Sequence, residues 1–178
     1  MILQFDDFDI TPINTNDAWA LCDLMITNSD RFKRFFPGTL KDNLNPTLSQ
    51  LFVEKKLKQF QKKEEFLFTL NTAQTSKLIG LIYIKAIDWS IKQGEFAYCI
   101  DYNYKGQGTI SKAITALSNY AFTSLDLNTL QIIAHKDNLP SVNVAINNGF
   151  QWIKTLKNEC TPTDGNPLDM ELYELHNL

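Results

Sequence analysis

Between Glu95 and His135 the chain passes through four textures, in an order few architectures accommodate. Glu95 to Ile100 favours a strand, and Tyr104 to Thr109 (YKGQGT) sets two of the seven glycines one residue apart. Ile110, Ala113, Ile114, Leu117, Ala121 and Leu125 then recur every three or four positions, the spacing of an amphipathic helix. Leu130, Ile132 and Ile133 mark a second strand from Thr129 to His135. Strand, glycine loop, helix and strand make a βαβ unit, whose two strands must run parallel because the helix carries the chain back before the second begins.

The flanking sequence builds around this unit. Leu3, Phe5, Phe8 and Ile10 suit one strand or two short ones, and NTNDAW offers polar caps to a helix through Leu21, Leu24 and Met25. A short helix is expected from Asp30 to Phe36, broken by Pro37-Gly38. Pro46 opens another, with Leu48, Leu51, Phe52, Leu57 and Phe60 on its apolar face and a basic, solvated outer face to about Lys62. Phe66 to Leu70, Leu78 to Ile87 and Glu95 to Ile100 form an antiparallel meander. A helix from Ser141 to Asn147 precedes the strands Gln151 to Leu156 and Leu168 to Leu175. The class is α/β with a mixed sheet.

Composition narrows the function. A chain of 178 residues, 44% hydrophobic and without an internal linker or repeat, fits one domain spanning residues 1–178. A net charge of −3 and a pI near 5.4 argue against a general grip on nucleic acid. MILQFDDFDI has no basic leader region, and no run reaches the roughly 18 apolar residues of a membrane span, so the chain reads as soluble and cytoplasmic. Cys22, Cys99 and Cys160 lack CxxC spacing, and with only His135 and His176 beside them no metal site is signalled.

Glycines ahead of a helix admit two readings. They either turn the chain into the helix, or bare its first amides for a phosphate, with Lys105 adding charge alongside. A Walker A loop is ruled out because no GK[ST] follows at the required distance. A dinucleotide fingerprint fails as well, since Ser111 stands where the third glycine belongs.

The blocks EFAYCIDYNYKGQGTISKA, KDNLPSVNVAINNGF and DMELYEL, in that order, resemble the Gcn5-related N-acetyltransferase (GNAT) superfamily, in particular its Rim-type branch of ribosomal-protein N-terminal acetyltransferases. The likeness covers roughly Glu65 to Leu175. It implies a GNAT-like fold in which helices flank a mixed central sheet with splayed parallel strands. It also implies that acetyl-CoA is the cosubstrate, with no metal. The family's Q/R-x-x-G-x-G/A loop falls on Lys105, Gly106, Gln107, Gly108, Thr109 and Ile110, with lysine and isoleucine as the departures. By that correspondence these six hold the pyrophosphate, the backbone of Tyr98, Cys99 and Ile100 pairs with the pantetheine arm, and Asn138 binds its thioester end. Read locally, Asn138 is instead a helix cap with Ser141 in the first turn.

The chemistry implied is direct attack of a primary amine on the thioester in a ternary complex. Glu95 matches the family's acidic position and is the first candidate base, with Glu159 the second. Backbone amides near Ile100 are candidates for the oxyanion. The tyrosine that many members place seven residues after the asparagine is Ala145 here, leaving Ser141 to hydrogen-bond the departing sulfur. Covalent catalysis by Cys99 lacks a neighbouring histidine in sequence. The acceptor implied is a protein N-terminus. Alternatives are a small amine (polyamine, amino acid or aminoglycoside) and a non-catalytic acyl-CoA-binding module. The resemblance also makes a homodimer plausible.

Overall fold

A computed structural model describes residues 3–162 and 165–177. Eight strands form one mixed sheet: β1 (Leu3–Gln4), β2 (Phe8–Pro12), β3 (Phe66–Thr72), β4 (Leu78–Asp88), β5 (Gln93–Ile100), β6 (Thr129–Ala134), β7 (Gln151–Cys160) and β8 (Leu168–His176). Their order is β1-β2-β3-β4-β5-β6-β8-β7. The helices are α1 (Ala18–Thr27), α2 (Ser29–Phe35), α3 (Pro37–Lys41), α4 (Pro46–Gln61), α5 (Thr109–Thr123) and α6 (Leu139–Asn147). The α/β class and mixed sheet expected from the sequence are observed. The contacts resolve into two compact units, Met1–Tyr83 with Tyr98–Lys105 and Ile84–Ala97 with Gly106–Leu178.

In the first unit, Asn14 and Asp17 form a capping box ahead of α1, the Asn16 amide donating to Asn14 Oδ1 at 2.9 Å and the Asn14 amide to Asp17 Oδ2 at 2.8 Å. α1 then buries Leu21, Cys22, Leu24 and Met25. Pro37 does more than end α2: it starts α3, where its fixed φ and missing amide suit a first helical turn. Asn45 caps α4, accepting from the Leu48 amide at 3.0 Å.

The buried face of α4 is rotated from the one its leucines indicate. Ser49, Phe52 and Val53 are buried, whereas Leu48 and Leu51 are exposed. Its basic face is likewise not wholly solvated. Lys56 Nζ lies 2.5 Å from Glu65 Oε1, with the two side chains only 11% and 15% exposed.

β2 pairs antiparallel with β3, from Phe8 opposite Thr72 to Pro12 opposite Phe68. Phe66 to Leu70 of β3 are buried at every position, so both faces of that strand are covered. β4 approaches β5 so closely at Gly80 that a Cβ there would stand 2.7 Å from the Cys99 carbonyl oxygen, and only glycine fits without displacing backbone.

In the second unit, β5 and β6 run parallel, paired from Gln93 opposite Thr129 to Phe96 opposite Ile132. The ladder ends there, while β5 continues to Ile100 and β6 to Ala134. β6 alternates strictly, with Leu130, Ile132 and Ala134 buried. α5 buries Ile110, Ala113, Ile114, Leu117 and Ala121, the face its spacing predicts. β8 pairs antiparallel with both β6 and β7. β7 runs four residues beyond Leu156, to Cys160, through irregular register near Asn158, whose φ is +54°. Among the described residues no helix is long and apolar enough to cross a membrane.

Candidate functional site

The glycine loop is built as a helix entry with its donors left open. Gly106 and Gly108 both take positive φ, +76° and +78°, which L side chains adopt only at a cost, and nothing lies within 4 Å of a Cβ built at either. Gly108 is the N-cap of α5 and brings no side chain to cap it. The first helical bond is that of the Lys112 amide to the Gly108 carbonyl at 3.0 Å, so the amides of Thr109, Ile110 and Ser111 have no intrahelical acceptor. The Thr109 and Ile110 side chains are buried, which fixes the turn from beneath and accounts for a large residue where the family places a small one. Lys105, at the end of the preceding Tyr102–Tyr104 turn, is exposed.

At the start of α6, Asn138 occupies the N-cap position without performing its usual task. Its side chain makes no cap hydrogen bond and has no hydrogen-bond partner among the described residues. The amide group is therefore available to a ligand. Ser141 shares this first turn and is half-buried. Asn148, at the far end of α6, ties the helix to α5: its Nδ2 donates to Ser111 Oγ at 2.8 Å, and Thr115 Oγ1 donates to its Oδ1 at 2.6 Å. Ala145, where the resemblance leads one to look for a tyrosine, is fully buried.

Of the candidate carboxylates, Glu95 stands on β5 one residue before the parallel ladder ends. Its Oε1 lies 2.8 Å from Lys85 Nζ on β4, with exposures of 16% for Glu95 and 37% for Lys85. Register places Glu95 beside Gln131, Gln131 beside Glu174 and Glu174 beside Gln151, a polar row across four strands. Glu159 lies exposed near the end of β7, its carboxylate with no ion pair or hydrogen bond among the described residues. No contact or shared partner brings the two glutamates together among the described residues. Lys85 carries no signal in the sequence because its partnership with Glu95 depends on hairpin register.

In the first unit, Tyr98, Cys99 and Ile100 form the end of β5. The Cys99 thiol is buried and burial pushes it up to about 12, which keeps it protonated at neutral pH and removes it as a nucleophile. The Ile100 carbonyl accepts from Arg31 Nη1 at 3.3 Å, and the Asp101 amide donates to the Ile79 carbonyl at 2.7 Å. Asn28 anchors the turn after β5: its Oδ1 accepts from the Tyr102 amide at 2.9 Å while its Nδ2 donates to the Leu24 carbonyl at 3.1 Å. Neither Arg31 nor Asn28 carries a sequence signal, because each acts across about seventy residues of chain. No group of three or more His, Cys, Asp or Glu side chains among the described residues is placed to hold a metal ion.

Residues 8–151 match the family model described as the acetyltransferase (GNAT) domain. The chain belongs to this family. It is an acetyltransferase of the GNAT type, as the glycine loop and its flanking blocks imply. It is 28% identical over 108 residues to p20 of Bacillus licheniformis, an uncharacterized N-acetyltransferase; the alignment takes in 61% of this chain and 60% of that relative. Its fold is shared with the ribosomal-protein-S5-alanine acetyltransferase of Vibrio fischeri, at a TM-score of 0.93 and 18% identity, covering 99% of this chain and 97% of the other. RimL, a ribosomal L7/L12 alpha-N-protein acetyltransferase solved in complex with coenzyme A, superposes with a TM-score of 0.91 at 18% identity, covering 99% and 98%.

Proposed function

We propose that this GNAT acetyltransferase transfers the acetyl group of acetyl-CoA to the amine at a protein N-terminus, by direct attack in a ternary complex. The observation that carries the cosubstrate is the uncapped start of α5 behind two left-handed glycines with open space at both. Such a terminus presents three backbone donors and the positive end of a helix dipole, which fits a diphosphate. Residues 1–178 are read as a single acetyltransferase domain, since the family match runs from residue 8 to 151, through parts of both compact units.

The roles divide by unit. In the second, the loop from Gly106 through Gln107, Gly108 and Thr109 to Ile110 cradles the pyrophosphate, and the unpartnered Asn138 amide serves the thioester end. Ser141 orients the departing sulfur by a hydrogen bond. Glu95 takes the amine proton through water, with Lys85 holding its carboxylate in place, and Glu159 is the second candidate for that step. In the first unit, the backbone from Tyr98 to Ile100 serves the pantetheine arm, and Lys105 adds positive charge for phosphate. Support for a protein acceptor comes from the fold neighbours, which are named for ribosomal-protein substrates.

Calorimetric titration of acetyl-CoA into the wild type and Gly108→Glu tests the cradle, because the new carboxylate stands where the diphosphate would lie. Saturable binding that the variant loses is the expected result; no wild-type binding overturns the assignment. Released thiol is then followed with N-terminal peptides against spermidine and a free amino acid. Turnover confined to the small amines would overturn the acceptor while leaving the cosubstrate intact.

A further inference from the structure

The polar row across the second unit's sheet contains a side chain with one end unspent. β6 buries Leu130, Ile132 and Ala134 on one face, so Thr129, Gln131 and Ile133 stand half-buried on the other. Gln131 lies between two glutamates there, opposite Glu95 of β5 and opposite Glu174 of β8. Directly opposed residues share a face of the sheet, and neighbouring strands are only about 4.8 Å apart, so the three side chains are within reach of one another.

Chemistry tells the two ends of the Gln131 amide apart. Its Nε2 donates to Glu174 Oε1 at 2.7 Å, and because a carboxylate only accepts, the nitrogen must be the end turned to β8. Glu174 is itself held in place, 16% exposed, with Oε2 3.3 Å from His176 Nε2, while His176 Nδ1 lies 3.2 Å from Thr129 Oγ1. The Gln131 oxygen, on the other arm of the same planar group, is left on the β5 side and has no hydrogen-bond partner among the described residues. Glu95 is similarly divided. Its Oε1 is taken by Lys85 at 2.8 Å, and its Oε2 accepts no hydrogen bond among the described residues. Two oxygens that both bear lone pairs thus stand side by side in a partly closed row, an arrangement that calls for a donor between them.

We infer that Gln131 is a positioning residue for proton removal: its amide oxygen and Glu95 Oε2 together hold the water through which Glu95 acts, and Glu174 fixes which way the amide faces. This rests on the reading of Glu95 as the base. The water donates one hydrogen to each oxygen, which turns its own lone pairs outward to the amine. On transfer, the N–H bond of the substrate ammonium breaks and its proton passes to the water oxygen, as the water's proton passes to Glu95 Oε2. Carboxylate becomes carboxylic acid and ammonium becomes neutral amine, whose freed electron pair is the nucleophile. The hydrogen bond to Gln131 is kept throughout.

Thiol release from acetyl-CoA is measured for the full chain with an N-terminal peptide, spermidine and a free amino acid as acceptors. Gln131→Leu should lower kcat by about tenfold with the KM for acetyl-CoA unchanged, and the same substitution added to Glu95→Gln should cost nothing more. Glu174→Gln should lower kcat by about threefold, because a glutamine there donates as well as accepts and no longer dictates the facing of Gln131. A loss from Glu95→Gln with none from Gln131→Leu, or with a tenfold loss in both backgrounds, overturns this inference and leaves the base in place. No loss from Glu95→Gln overturns both. A crystal structure of the wild type gives a reading that needs no acceptor: a water about 2.7–3.2 Å from both Glu95 Oε2 and Gln131 Oε1 is expected, and its loss in Gln131→Leu. An empty space between the two oxygens overturns the inference whatever the rates. Glu174→Gln and the wild-type structure both stand as tests if Gln131→Leu disturbs folding.

Discussion

Lys85 Nζ and Glu95 Oε1 are 2.8 Å apart on neighbouring strands, so the carboxylate proposed as the base already has a cation in contact. The pair is partly open to water, which limits its worth to about 0–1 kcal/mol of stability. Glu95→Gln is expected to lower kcat by about a hundredfold or more while the melting temperature barely moves. Lys85→Met should keep kcat within a few-fold of wild type. Equal and small effects of both on turnover would leave the pair a structural contact and pass the proton transfer to another group.

Gly108 tests conformation apart from space. A Cβ there meets nothing, yet φ is +78°, so Gly108→Ala should cost about 1–2 kcal/mol by denaturant unfolding through backbone strain alone. Gly108→Asn should cost less, since asparagine enters the left-handed region more readily. Equal losses would mean that the loop relaxes to ordinary φ.

Lys56 and Glu65 are a different kind of pair, nearly closed to solvent. Removing one partner strands the other, so Lys56→Met should destabilise the protein by about 3–5 kcal/mol. The double variant Lys56→Met with Glu65→Leu should recover most of that loss. Denaturant midpoints of the three proteins check this, and additive losses would contradict it.

Much of the chain is legible in its sequence because the information there is local. Gly106 and Gly108 mark a turn wherever they occur, and the spacing from Ile110 to Ala121 matches the buried face of α5. Asn138 is legible only as a choice between cap and ligand, a choice that turns on whether its amide is spent. α4 misleads for a related reason. Ser49 is small enough to lie inside, so the buried face falls between the leucines rather than on them. Lys85, Arg31 and Asn28 acquire meaning only through strand register or tertiary packing, which no single stretch of sequence contains.

Cys99 links stability to alkaline pH. Burial raises its thiol to about 12 from an ordinary value of 9.0, so the unfolded chain releases this proton at lower pH than the native one. The stabilisation is full below about pH 9 and is lost as pH rises towards 12, by up to about 1.4 kcal/mol per pH unit. Tyr83, also raised by burial, acts in the same direction from a higher starting point. Unfolding free energies between about pH 8.5 and 10.5 should fall less steeply in Cys99→Ala. An unchanged slope would show that the thiol is accessible to water in the native state.

Asn28 spends one end of its amide on α1 and the other on Tyr102, three residues before Lys105. A variant map drawn along the sequence would file position 28 under helix packing. Its phenotype belongs elsewhere: substitutions there should behave like loop mutations, altering ligand affinity before they alter the melting point, and position 28 would co-vary in a library screen with positions some seventy residues downstream.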